Sequence, residues 1–238
     1  INAYKTDAYG LPLFDTFNTD DYGIYEGSEL TNVDATVDPR LDFVTGRPGI
    51  TWKTYTAEPC KANWVRNSGE YGFNCTKRFY ISPESDEMFQ GWPWGASHLN
   101  WQIIRYADVL LSQAEAVNEQ GRWQEAVSYV NRVRNRAGVA LLNAPGNTNT
   151  KVSGVEEMRA RIRNEKKWEL ACEEQLYFEE LRWGTWKTDK FVAKNGLQNV
   201  WGAPVYTYIW GGDAYLKWAI PQSEVEKNTN IKQNEGWN

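Results

Sequence analysis

The chain has 238 residues, 41% of them hydrophobic and 24% charged, with a formal net charge of −5, a composition that suits a globular protein. It carries no basic run and no basic helix face standing alone, which argues against nucleic acid as a partner, and no apolar stretch approaches the roughly 20 residues that span a bilayer. Its aromatic content stands apart, with 13 Trp, 13 Tyr and 8 Phe, many in Gly- and Pro-rich stretches that lack helical period.

Residues 1–98 hold turn signals such as Tyr9-Gly10, Asp38-Pro39, Arg47-Pro48-Gly49 and Trp92-Pro93-Trp94-Gly95. Thr51 to Ala57 and Thr76 to Ile81 are short extended candidates. This reads as an irregular, aromatic-rich region that needs a scaffold to lie on. The scaffold begins near Asn100. Ile103, Ala107, Leu110, Ala114 and Val117 alternate at spacings of four and three, the mark of an amphipathic helix. Gly121 breaks it. Trp123, Ala126, Val127, Val130, Val133 and Ala137 then predict a second helix, closed by Gly138. Together these make an antiparallel hairpin, and Gly121-Arg122-Trp123-Gln124-Glu125-Ala126 resembles the turn of a tetratricopeptide repeat. One such hairpin cannot bury its own apolar face, so a complete protein is expected to extend N-terminally with further pairs.

A third helix is predicted from Ser153 to about Glu174, with Ser153-Gly154-Val155-Glu156 as its capping box. Its stripe reads Met158, Ile162, Glu165, Glu169, Cys172 and Leu176. Two carboxylates thus fall on an otherwise apolar face. A short helix around Phe178 to Trp183 ends at Gly184, an irregular aromatic stretch runs to Gly212, and Tyr215 to Ile220 is a strand candidate before Pro221.

Chemistry-bearing patterns are sparse. The chain has 3 cysteines and 1 histidine. None of Cys60, Cys75 and Cys172 forms a CxxC pair, so a Cys/His zinc site is close to excluded. Cys60 and Cys75 admit either a disulfide or free buried thiols. Asp20-Asp21 with Glu26 and Glu29 lack the spacing of a calcium loop and read as a solvated acidic loop. There is no P-loop, GxGxxG turn or HExxH helix. His98 sits in an ordinary loop sequence with no nucleophile elbow beside it. Glu165 and Glu169, one helical turn apart, have a spacing compatible with a glycosidase pair. Their place on a core-facing stripe favours a structural role, with Arg105, Arg134 and Arg182 as buried partners. The reading is therefore no catalytic residue, no metal and no cofactor.

Loop aromatics remain: Trp52, Tyr55, Trp64, Tyr71, Tyr80, Trp92 and Trp94. A pyranose presents an apolar face of C–H groups that a flat ring buries while polar neighbours take the hydroxyls. Taken singly, a ring in such a loop is more commonly an internal anchor than a ligand contact. Trp64, flanked by Asn63 and Arg66, is the first candidate for ligand binding, followed by Trp52 and Trp92.

Four segments in order give a more specific signal. Ile104-Arg105-Tyr106-Ala107-Asp108-Val109-Leu110-Leu111, with Ala114-Glu115-Ala116 and Asn118-Glu119 after it, resembles the central helix signature of SusD/RagB proteins. Val130 to Gly138, with Asn131, Arg132, Arg134 and Arg136, is similar to that family's next segment. Ile162, Glu165, Glu169-Leu170, Phe178 and Leu181-Arg182-Trp183-Gly184 follow in family order. Ile220-Pro221, Glu224, Asn228, Ile231, Gln233-Asn234 and Gly236-Trp237 resemble its C-terminal signature, and Asp38-Pro39-Arg40-Leu41 upstream also looks familial. Glu174-Gln175-Leu176 departs from the pattern where the family commonly has a glycine and an arginine.

The resemblance implies a mainly α fold in which tetratricopeptide-type helix pairs support a loop-rich, aromatic-rich ligand-binding region with few short strands. It divides the chain into a loop-rich ligand-binding region, 1–98, and a helical C-terminal region, 99–238, with the family's N-terminal half and its lipidated cysteine absent. It also implies a Bacteroidetes lipoprotein on the extracellular face of the outer membrane, one that is not an enzyme. Such a protein captures oligosaccharides or polysaccharides and hands them to a SusC-like TonB-dependent transporter. Three rivals stay open: a peptide-capturing member of the same family, a glycoside hydrolase, and a helical scaffold whose only partner is another protein.

Overall fold

The computed structural model describes residues 4, 6–7, 9, 11, 25–26, 29–30, 36–46, 75–78, 100–186, 197–198, 204–206 and 212–237. Among these the protein is mainly helical. Its helices are α1 (Leu41–Val44), α2 (Tyr106–Glu119), α3 (Trp123–Ala137), α4 (Val155–Glu169), α5 (Gln175–Trp183) and α6 (Gln222–Lys227). The strands are very short and pair antiparallel in three separate ladders. They are β1 (Tyr25–Glu26) with β2 (Glu29–Leu30), β3 (Thr45–Gly46) with β4 (Cys75–Thr76), and β5 (Leu197–Gln198) with β6 (Pro204–Tyr206).

The centre is a three-helix layer. Leu110, Leu111, Ala114 and Val117 of α2 meet Ala126, Val127, Val130 and Val133 of α3. Met158 and Ile162 of α4 close the third side. Burying each large aliphatic side chain contributes about 2 kcal/mol, so this cluster anchors everything attached to it. The connection from α3 to α4 is pinned by Asn131. Its Nδ2 donates to the Leu142 carbonyl at 2.9 Å and its Oδ1 accepts the Leu142 N–H at 2.8 Å, which seats the Leu142 side chain in the core.

Glycine ends three of the helices by one mechanism. At Gly121, Gly138 and Gly184 the backbone turns left-handed, with φ of 81°, 74° and 72°. The following N–H then reaches back five residues: Arg122 to Val117, Val139 to Arg134, and Thr185 to Glu180. These are the bonds that satisfy the last carbonyls of a helix.

Several expectations are corrected. The apolar stripe includes Ile103, but Arg105 is extended (φ −107°, ψ 150°), so α2 starts at Tyr106 and Ile103 is exposed. Helix α4 stops at Glu169, well before Glu174, because Cys172 adopts φ 62° and breaks the helical path. Cys172 is consequently exposed and does not continue the buried stripe. The glutamate partner of Ser153 is Glu157, not Glu156: its Oε2 accepts the Ser153 N–H at 3.0 Å and the hydroxyl at 2.8 Å. Helix α5 begins at Gln175, three residues ahead of expectation. Within Tyr215 to Ile220 there is no strand. A 3₁₀ turn spans Asp213–Leu216, and Gln233 brackets the Ile220 backbone from both sides at 2.8 Å.

Candidate functional site

Of the chemistry-bearing residues singled out above, the structure places the carboxylate pair, Glu26 and Glu29 in the β1–β2 ladder, Cys75 in β4, and Cys172. Trp52, Asn63, Trp64, Arg66 and Trp92 lie outside the described residues, as do Cys60, His98 and the Thr51 to Ala57 stretch. Among the described residues no group of His, Cys, Asp and Glu is arranged to hold a metal ion.

Glu165 and Glu169 both point into the interior, each with 2% of its surface exposed. The segment before α1 reaches them. Arg40 is gripped by Asp38, with Nε to Oδ1 at 2.8 Å and Nη2 to Oδ2 at 2.6 Å, while the Arg40 N–H also donates to Oδ1. Its remaining nitrogen, Nη1, donates to Glu165 Oε1 at 2.7 Å and to Glu169 Oε2 at 3.3 Å. Arg134 of α3 takes the other Glu165 oxygen at 2.8 Å and gives its Nε to the Ala140 carbonyl. Arg105, at the start of α2, donates to Glu169 Oε1 at 3.0 Å and to Glu173 Oε2 at 2.9 Å. Arg136 pairs with Glu169, and Arg78 with Glu173. Beneath this layer lies Trp168, with the Arg40 guanidinium 5.7 Å from its ring centroid and Tyr4 stacked on it at 6.4 Å.

Sequence reasoning named Arg105 and Arg134 correctly as partners. It missed Arg40 and Arg136, and it placed Arg182 wrongly. Arg182 instead bonds Glu115 at 2.6 Å and Glu179 at 2.5 Å, on the far side of α4. That second cluster surrounds Lys166, fully buried, with Nζ 2.9 Å from Glu179 Oε2 and 3.0 Å from Ser112 Oγ. The only sequence signal for Arg40 was the Asp38-Pro39-Arg40 motif, which reveals its chemistry once the fold brings it 125 residues along the chain to Glu165.

The electrostatics oppose acid–base catalysis here. Burial pushes the Glu169 carboxyl up, but Arg136, Arg40 and Arg105 outweigh it and hold the group below the usual carboxylate range. A glycosidase acid needs the reverse, a proton retained near neutral pH. Burial pulls the Arg40 guanidinium down, and Glu165, Asp38 and Glu169 more than compensate, leaving it firmly charged. A layer of carboxylates, each 2% exposed and bonded to arginines from several elements, ties those elements together.

Two concavities open beside this layer. A cavity of about 50 Å³ is lined by Phe43, Arg78, Arg105, Arg136, Trp168 and Glu169, with Arg40 and Val44. A groove of about 600 Å³ runs along α2 and α3, between Gln102, Ile104, Arg105, Tyr106, Ala107 and Leu110 on one wall and Arg132, Val133 and Arg136 on the other.

The model of the SusD family matches residues 1–237 of the chain. The starch-binding protein SusD of Bacteroides thetaiotaomicron is 31% identical over 137 residues, which cover 57% of this chain and 21% of that protein. A SusD-like protein of Formosa agariphila is 33% identical over 141 residues, 58% of this chain and 26% of its own length. Among solved structures, a SusD-like protein from Bacteroides fragilis superposes with a TM-score of 0.69 at 20% identity, covering 99% of this chain and 46% of that one. A SusD-like carbohydrate binding protein from the same organism gives 0.57 at 20% identity, covering 97% and 47%. The chain thus spans about a quarter or less of the curated relatives and just under half of these solved structures.

Proposed function

The chain belongs to the SusD family, and we propose that it is part of a protein that captures glycans and passes them to a SusC-like TonB-dependent transporter. The observation that carries this reading is the family match over residues 1–237, joined by relatives named for binding starch and carbohydrate. The protein sits on the extracellular face of the outer membrane, held by an N-terminal lipid; among the described residues no helix is long and apolar enough to cross a membrane. It binds and does not cleave. The arginine-saturated Glu165 and Glu169 support that, since neither offers a carboxyl to a glycosidic oxygen.

The ligand stacks on Trp64, with Trp52 and Trp92 as further platforms and Asn63 and Arg66 bonding hydroxyls. The test is affinity electrophoresis of the protein through gels containing plant, host and microbial polysaccharides, with a Trp64→Ala variant alongside. Retardation in one polysaccharide, weakened in the variant, is expected. Free migration in every gel would overturn glycan capture, and unchanged retardation of the variant would remove Trp64 from the site.

A further inference from the structure

We propose that the small cavity beside the arginine layer binds one free inorganic oxyanion of the size and chemistry of phosphate, and that this ion completes the junction of the segments that meet there.

The first observation is charge. Four guanidiniums line the cavity, those of Arg40, Arg78, Arg105 and Arg136, and among the described residues Glu169 is the one carboxylate that does. Glu169 is already divided between three of them: Oε1 accepts from Arg105, and Oε2 accepts from both Arg40 and Arg136. Asp38 and Glu165 engage Arg40, and Glu173 engages Arg78 and Arg105, but none of these carboxylates lines the cavity. Like charges gathered in a poorly hydrated interior repel strongly, and an anion held among them turns that repulsion into attraction.

The second observation is spare donors. Arg136 gives Nη2 to Glu169, and among the described residues nothing accepts from its Nε or Nη1. Arg78 gives Nη2 to the Glu169 carbonyl at 3.1 Å and pairs with Glu173, while its Nε is sealed from solvent without a hydrogen-bond partner. A buried N–H that finds no acceptor is costly. Guanidinium forks present paired N–H groups that match the oxygens of phosphate two at a time.

The third is size and setting. A water molecule needs about 10–15 Å³ of such space, so a cavity of about 50 Å³ takes a group of a few heavy atoms and excludes a sugar ring. Buried Val44 and Trp168 supply apolar wall, which strengthens each charge interaction inside. The other walls come from separate places in the chain: Arg40 before α1, Arg78 just after β4, Arg105 before α2, Arg136 in α3 and Glu169 at the end of α4. One ion there joins five segments.

The experiment is equilibrium dialysis of the whole protein, as its gene encodes it, against radiolabelled inorganic phosphate at fixed ionic strength, with thermal melts in the same buffers. One saturable equivalent per chain is expected, and the melting temperature should rise with phosphate over the range in which that site fills. Arg78→Gln and Arg136→Gln, each shown to be folded by its melt, should weaken binding at least tenfold. Arg136→Lys keeps the charge without the fork and should lose less than Arg136→Gln. Arg132→Gln, one turn away on α3 and outside the cavity lining, should bind as the parent does. A parent protein with no saturable binding and a melt indifferent to phosphate would overturn the proposal, whatever the variants do. Binding that both glutamine variants retain in full would place the ion elsewhere and equally end it. Displacement by less galacturonate than unlabelled phosphate would give the cavity to the carboxylate of an acidic sugar, against a free ion.

Discussion

Helix α4 is two helices in physical character, joined end to end. Its first half buries Met158 and Ile162 on one stripe and leaves Glu156 and Ala160 in solvent. From Glu165 to Leu170 every residue is buried on every side, although four of the six are charged. The first half is held by removal of apolar surface from water, which any similar side chain would supply. The second is held by partners brought from α2, α3, α5 and the segment before α1, each of which must be present. Burial therefore does not follow hydrophobicity along this helix. It follows the availability of opposite charge, and the two halves should fail in different ways.

The largest difference is expected from Glu165→Ala, which removes the carboxylate that bridges buried Arg40 and Arg134, leaving Arg40 to Asp38 and Glu169. Stability measured by denaturant unfolding should fall by about 3–5 kcal/mol. Ile162→Ala in the apolar half should cost about 2–4 kcal/mol, a cavity without stranded charge. A loss at Glu165 far below that at Ile162 would erase the distinction between the halves.

Acid should separate the halves next. The folded Glu169 carboxyl titrates below its unfolded value. Its contribution is present in full above the ordinary carboxylate range and is lost as pH falls through the folded value. Glu169→Ala should therefore destabilise strongly at pH 7 and progressively less below about pH 4.5, while the penalty of Ile162→Ala stays nearly constant. At pH 7, Glu169→Ala should still be retarded in the polysaccharide gel that retards the parent protein, so long as it is folded. Loss of retardation in a folded variant would give the network a role in binding.

The smallest effect belongs to the turn that ends the charged half. Cys172 holds φ 62°, a conformation that disfavours a side chain. Cys172→Gly should gain about 0.5 kcal/mol, whereas Gly138→Ala, at φ 74°, should lose about 1 kcal/mol. Thermal melts of the two variants moving in the same direction would refute the comparison.

The same contrast decides what could be read from the sequence. The α2–α3 hairpin was legible because alternating steps of three and four record an apolar face, and glycines at 121, 138 and 184 record the stops. The end of α4 was not, because a cysteine, and not a glycine, takes the left-handed position. Burial of Lys166 and Lys167 was illegible for a deeper reason: a charged residue carries no sign of its partner, and Glu179 and Ser112 reach Lys166 only through tertiary packing. Glu165 and Glu169 were read as structural because they interrupt an apolar stripe. Arg40 escaped because it lies in a segment without periodicity. The aromatic ligand candidates came from composition and local neighbours, which convey chemistry but no geometry.

The Arg40 clasp also bears on the order of folding. Helices α2 and α3 are neighbours in the chain, so their contacts close with little loss of loop entropy. Arg40 must find Glu165 across 125 residues and Glu169 across 129, an encounter that comes after local structure has formed. Interactions absent from the transition state govern how long the native protein survives, not how quickly it is reached. The clasp is thus a latch: its loss through Arg40→Ala should quicken unfolding severalfold and leave the refolding rate almost unchanged, so that its contribution is to the lifetime of the native state.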